Sequence, residues 1–202
     1  MPTEYYGTPS IYQRILSADL VVLAKVQRLL RSDTLVAGSQ ARVYGLFEVA
    51  VDSILLGEPP SSILKVRVLG QNHDGEVSWI VPMVVGEPYL MILVRDVTPD
   101  EPVNRFAPNF AGVYPLRDGG RVAVPADAVD ESTRKVAHFD GVHLTLDGVR
   151  SLITRVQEER QAIASEFEKI VPAEFRERPY PAVEEMPKPP DEGGTPAVLR
   201  RI

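Results

Sequence analysis

Between Asp19 and Thr145 the chain is a succession of apolar runs separated by Gly, Pro, Asn, Asp and Ser clusters, spaced about 10 to 20 residues apart. None of the intervening stretches reads as a helical crossover, which parallel strands require. The expected fold is therefore mainly β, an antiparallel barrel or sandwich. Ile63–Leu69 alternates most strictly, with Leu64, Val66 and Val68 inward and Lys65 and Arg67 outward. Tyr89–Val94 is the most apolar run and is expected to be the central strand.

The other strands follow from the same pattern. Leu20–Val26 is rich in branched residues and leads to polar turns at Ser32-Asp33 and Gly38-Ser39. Arg42–Val51 continues towards Leu56, and Gly45 in its interior predicts a bulge or bend. Trp79–Val81 follows a polar loop, and a Pro-punctuated loop over Thr98–Asn109 leads into two hairpins. The first turns at Asp118-Gly119-Gly120. The second joins Lys135–Phe139 to Val142–Thr145 through Asp140-Gly141.

Both ends differ from this middle. Thr8 as cap, Pro9 at the first position and Ile11, Tyr12, Ile15 and Leu16 at helical spacing predict a short helix ending near Ser17. Tyr5 and Tyr6 ahead of it, with Tyr12, read as packing or docking residues. After Thr145, itself a cap, Leu146, Val149, Leu152, Ile153, Val156, Ile163, Phe167 and Ile170 form one stripe of a helix about 36 Å long. That exceeds the side of a small barrel, so part of the stripe should meet something else. Seven prolines between Pro172 and Pro196 predict an extended tail, disordered when alone. The organisation is a segment with a short helix over 1–18, the β domain over 19–145, a long amphipathic helix over 146–171 and a proline-rich tail over 172–202.

Several function classes are excluded by composition. A net charge of −6 with no basic cluster beyond Arg28 and Arg31 argues against nucleic acid. The absence of cysteine removes disulfides, thiolate catalysis and sulfur-bound zinc. No apolar run approaches the roughly 20 residues of a membrane span. The amino terminus has neither the positive start nor the apolar stretch of a secretory signal. The expected state is soluble, cytoplasmic as written and extracytoplasmic if a leader has been removed.

The order Ala18-Asp19-Leu20-Val21-Val22, Phe47-Glu48-Val49 into Ile54-Leu55-Leu56-Gly57-Glu58, Val66-Arg67-Val68, and Val85-Gly86-Glu87-Pro88-Tyr89-Leu90 resembles a broad group of bacterial domains. These have the OB-type barrel of tissue inhibitors of metalloproteinases. The resemblance spans about residues 18 to 146 and implies an OB-like barrel followed by a helix. The inhibitors present an amino-terminal cysteine to a catalytic metal, which this chain lacks, so protease inhibition is not implied.

Three constellations remain to be weighed. The Asp140-Gly141 turn is expected to set His138 opposite His143 on the outer face, where with Asp140 they offer nitrogen and oxygen ligands. Two histidines do not complete a site, and an ordinary exposed hairpin accounts for them better, because the third and fourth ligands are missing. Asn72, Asp74 and Glu76 resemble the start of a calcium loop without its sixth-position Gly or closing Glu, and His73 beside them has no catalytic partner at readable spacing. Trp79, Tyr89 and Tyr44 form either a stacking platform for a sugar or part of the core.

No catalytic, cofactor or metal site is expected. The first reading is a non-enzymatic interaction or structural module. Its helix and tail dock on a partner protein or a second copy through Val156, Ile163, Phe167, Ile170, Pro179, Tyr180, Pro181, Pro189 and Pro190. The alternative is a barrel that binds a small ligand or carbohydrate.

Overall fold

The computed structural model describes residues 8–37, 40–73, 76–81, 83–96 and 105–170. The chain is mainly β. A short helix, α1 (Ile11–Leu16), precedes β1 (Leu20–Ala37), β2 (Gln40–Leu56), β3 (Ile63–His73), β4 (Glu76–Trp79), β5 (Pro88–Arg95) and β6 (Arg105–Arg117). Then come β7 (Arg121–Val122), α2 (Glu131–Val136), β8 (Phe139–Asp140), β9 (His143–Thr145) and α3 (Leu146–Ile170). The chain divides into two units between Gln161 and Ala162. The first holds the sheet, α1, α2 and α3 as far as Gln161. The second begins within α3.

Strand order is β4-β3-β2-β1-β5-β6-β7-β9-β8, and β3 also pairs with β6. That extra pairing is parallel, Lys65 opposite Arg105 and Val66 opposite Phe106. It links β1, β2, β3, β6 and β5 into a ring of five strands.

The ring divides the apolar side chains into two cores. Inside lie Leu20, Val22, Ala24 and Val26 of β1, Phe47 and Val49 of β2, Leu64, Val66 and Val68 of β3, and Tyr89, Met91 and Leu93 of β5. The second core covers the other face of β1 and β5, where Val21, Leu90 and Ile92 meet Ile11 and Ile15 of α1 and Val149, Leu152, Ile153 and Val156 of α3. β5 is buried on both faces from Tyr89 to Leu93, which is why it lacks alternation, whereas β3 is buried on one. It occupies the central position in the strand order, as its composition predicts.

Two glycines are dictated by close approach. Gly57 turns the chain out of β2 with a φ of 81°, and a Cβ there would stand 2.2 Å from the Asp19 carbonyl oxygen. At Gly45 a Cβ would stand 2.5 Å from the Trp79 ring. Trp79 lies over this glycine, edge-on to Phe47 with centroids 5.3 Å apart.

Several local expectations are corrected. Ser32 and Asp33 are not a turn: β1 runs through them, paired with Gly45 and Tyr44. The expected loop up to Asn109 is strand from Arg105. In α1 the cap is Ser10, not Thr8. Ser10 Oγ accepts from the Gln13 amide and the Gln13 side chain accepts from the Ser10 amide, a reciprocal box. Lys135 and Val136 end a helix rather than begin a strand, because Asp130 caps α2 by accepting from the Thr133 amide at 2.7 Å.

Candidate functional site

The site is approached through α3, whose buried stripe is consumed by the fold as far as Val156. Thr145 caps the helix by accepting from the Gly148 amide at 3.0 Å. Val149, Leu152, Ile153 and Val156 are buried against the outer face of the ring. Burying each such side chain contributes roughly 1.5–3 kcal/mol. Val156 is therefore a core residue, and its expected place on a partner surface is corrected.

Polar contacts then hold the helix against α1. Arg160 donates to the Ile15, Leu16 and Ala18 carbonyls at 2.7–3.1 Å, where the chain leaves α1; the Ile15 carbonyl also accepts from the Ala18 amide. The Tyr12 hydroxyl donates to Glu159.

Beyond Arg160 the character changes. Every residue from Gln161 to Phe167 is exposed. Two of them, Ile163 at 56% and Phe167 at 59%, are large apolar side chains one turn apart. The stripe thus persists in sequence after its burial stops. The Ile170 side chain and Pro179, Tyr180, Pro181, Pro189 and Pro190 lie outside the described residues.

The histidine hairpin is in a different register from the one expected. Asp140 pairs with His143 and Phe139 with Leu144, so the turn is Gly141-Val142 and the histidines are not cross-strand partners. Val142, which the expected register would have paired with Phe139 on the inner face, is 82% exposed. His138 uses its carbonyl to accept from the Thr145 amide and hydroxyl. Among the described residues no group of three His, Asp or Glu side chains is arranged to hold a metal ion. Instead His143 lines a recess of about 440 Å³ with Glu87, Pro88, Leu116, Arg117, Asp118 and Arg121. Asp74, central to the calcium-loop resemblance, lies outside the described residues, as do the Asn72, His73 and Glu76 side chains.

The three aromatic residues do not share a surface. Tyr89 faces the ring interior, 2% exposed, and its hydroxyl accepts from the Val84 amide at 3.1 Å. Trp79 packs on Phe47. Tyr44 alone faces outward, under the Arg67 guanidinium at 5.0 Å from its ring centre. Arg67 meets Asp96 fork to fork, at 2.7 and 2.8 Å. Tyr44 and Arg67 form one wall of an apolar cleft of about 230 Å³, closed by Leu69, Ile80, Val81 and Pro108.

A buried polar node lies beneath α1, unannounced by any sequence pattern. Arg14 is 4% exposed; its Nε donates to the Pro9 carbonyl at 2.9 Å and its Nη1 to the Tyr114 hydroxyl at 2.8 Å. Asn109, 5% exposed, donates to the Arg14 carbonyl and Ser17 Oγ. Burial pushes the Tyr114 phenol up to about 12, with Arg14 opposing and Asp127 adding to the rise. Nearby, burial acts to raise the Asp130 carboxyl, but hydrogen bonds from the Thr133 hydroxyl and amide, from Ser10 and from its own amide outweigh it, and its pKa is lowered.

No helix among the described residues is long and apolar enough to cross a membrane. Compared with known protein families and with curated proteins, the chain matches none.

Proposed function

We propose that this chain is a non-enzymatic interaction or assembly module whose docking element is the end of α3. The observation that carries the reading is the exposure of Ile163 and Phe167 in a helix whose earlier stripe is buried. Apolar side chains at this spacing are how an amphipathic helix anchors in a partner's groove. The ring order β1-β2-β3-β6-β5, antiparallel except at the β3–β6 seam, supports the OB-like barrel implied by the resemblance to metalloproteinase-inhibitor domains. In this reading the barrel is a scaffold, and the proline-rich tail extends the docking surface.

The test is an Ile163→Ser/Phe167→Ser double variant. Both side chains are exposed, so its melting temperature is expected to match the parent, while its complexes, measured as mass by light scattering in host extract fractions, are lost. Unchanged complexes in a folded variant would sink the idea.

A second reading has one specific support, the apolar cleft beside Tyr44 and Arg67. A small planar ligand, such as a sugar face, would stack there. Titration with simple sugars, read by Trp79 fluorescence and by thermal shift, separates the two: a saturable response abolished by Tyr44→Ala favours the ligand.

A further inference from the structure

The recess that His143 lines lies where the ends of β5, β6 and β7 meet β9, and its volume of about 440 Å³ suits a small molecule. Strand pairing accounts for its walls. Arg117 and Arg121 are directly opposite, the last pair before the turn Asp118-Gly119-Gly120. The β5–β6 register sets Tyr89 opposite Pro115, and extended by two residues it brings Pro88 and Glu87 alongside Leu116 and Arg117. Pro88 and Leu116 are half-buried, whereas Glu87, Arg117, Asp118 and Arg121 are exposed. The opening therefore has an apolar base and a rim of two guanidiniums and two carboxylates.

These charges do not neutralise one another. Among the described residues, the ion pair that any of the four makes is that of Arg121 with Asp140 at 3.8 Å, longer than a hydrogen bond. The Arg121 guanidinium is steadied by the turn, its Nε donating to the Asp118 carbonyl at 3.0 Å. Like charges directly opposite in a ladder repel. A carboxylate accepting from both guanidiniums converts that repulsion into attraction, through charge-assisted bonds of the strong kind.

A simple anion would still face Glu87 and Asp118, on a chain whose net charge is −6. A ligand bearing both charges meets both halves of the rim. Its carboxylate goes to Arg117 and Arg121, its ammonium to Glu87 and Asp118, and an apolar side chain rests on Pro88 and Leu116. His143 completes the wall with ring nitrogens that donate or accept. We propose that this recess binds a free α-amino acid with an apolar side chain. The site is separate from the exposed end of α3 and from the cleft beside Tyr44, and depends on neither.

Calorimetry of the full chain with L-leucine, isocaproate and isoamylamine tests this, because the last two each lack one charged end of the first. Leucine is expected to bind saturably, and each analogue about tenfold more weakly or worse. Arg117→Gln and Glu87→Gln alter exposed side chains, so both variants should melt as the parent does while weakening leucine binding about fivefold or more. Arg150→Gln, at an exposed arginine of α3 that does not line the recess, should leave binding unchanged. No saturable binding of L-leucine, L-valine or L-phenylalanine overturns the proposal. So does isocaproate binding as tightly as leucine, the mark of a plain anion site, or leucine binding that neither recess variant weakens.

Discussion

Gly45 and the Arg14 node show how single residues set the interior. A Cβ at Gly45 would press on both the Trp79 and Phe47 rings, which pack edge-on against each other and have little freedom to retreat. Gly45→Ala is therefore expected to destabilise by about 1–3 kcal/mol, measured by denaturant unfolding. Tyr114 makes a pH prediction. Its folded pKa is raised to about 12 from an unfolded value near 10. The stabilisation it brings is complete below about pH 10 and is lost as pH rises towards 12. Tyr114→Phe should remove this alkaline component from the pH dependence of melting, and the phenolate signal rising near pH 12 in an absorbance titration should fall with it. Asp130 works in the opposite sense. Its lowered carboxyl stabilises above the unfolded carboxylate value and loses that contribution as pH falls below about 4, so Asp130→Asn should flatten the acid limb.

The elements were unequally legible in the sequence. α3 was the most legible: Thr145 caps it, its stripe is regular, and Val149, Leu152, Ile153 and Val156 are buried as the periodicity selects, though the sequence did not show that Val156 is spent on the core. β3 and β5 were legible for contrary reasons, one alternating because it is buried on one face and the other continuously apolar because both cores share it. The stretch from Asp130 to Val142 was the least legible, although the strand that follows it and the Thr145 cap were read correctly. Asp130 three residues before Thr133 is a helix-start signal, yet the apolar Val136, Ala137 and Phe139 favour a strand. Val142 invites an inward position that the Gly141-Val142 turn denies it. The partners of Arg14 and Arg160 were illegible, because each depends on which distant segment arrives beside it. Arg160→Met tests the value of one such contact. It removes the side-chain donor to the Leu16 and Ala18 carbonyls, while Ile15 keeps the Ala18 amide, and should lower stability by about 1–3 kcal/mol.

At the scale of the molecule, the first unit is a ring with two apolar cores that meet across β1 and β5. Met91 fills the inner core and its neighbour Ile92 the outer one. Replacing either by Ala should lower one shared unfolding transition by about 2–5 kcal/mol, with Trp79 fluorescence and helical circular dichroism falling together. With both cores filled, the large apolar side chains left exposed on α3 among the described residues are Ile163 and Phe167, and association through them is the central claim. The most direct measurement places a photo-cross-linking residue at Phe167 in the intact chain and, as control, at the exposed polar Thr154 of the same helix, with irradiation in the host cell. The account predicts a discrete adduct of defined mass at Phe167 and none at Thr154. No adduct at Phe167, or the same diffuse products at both positions, would contradict it.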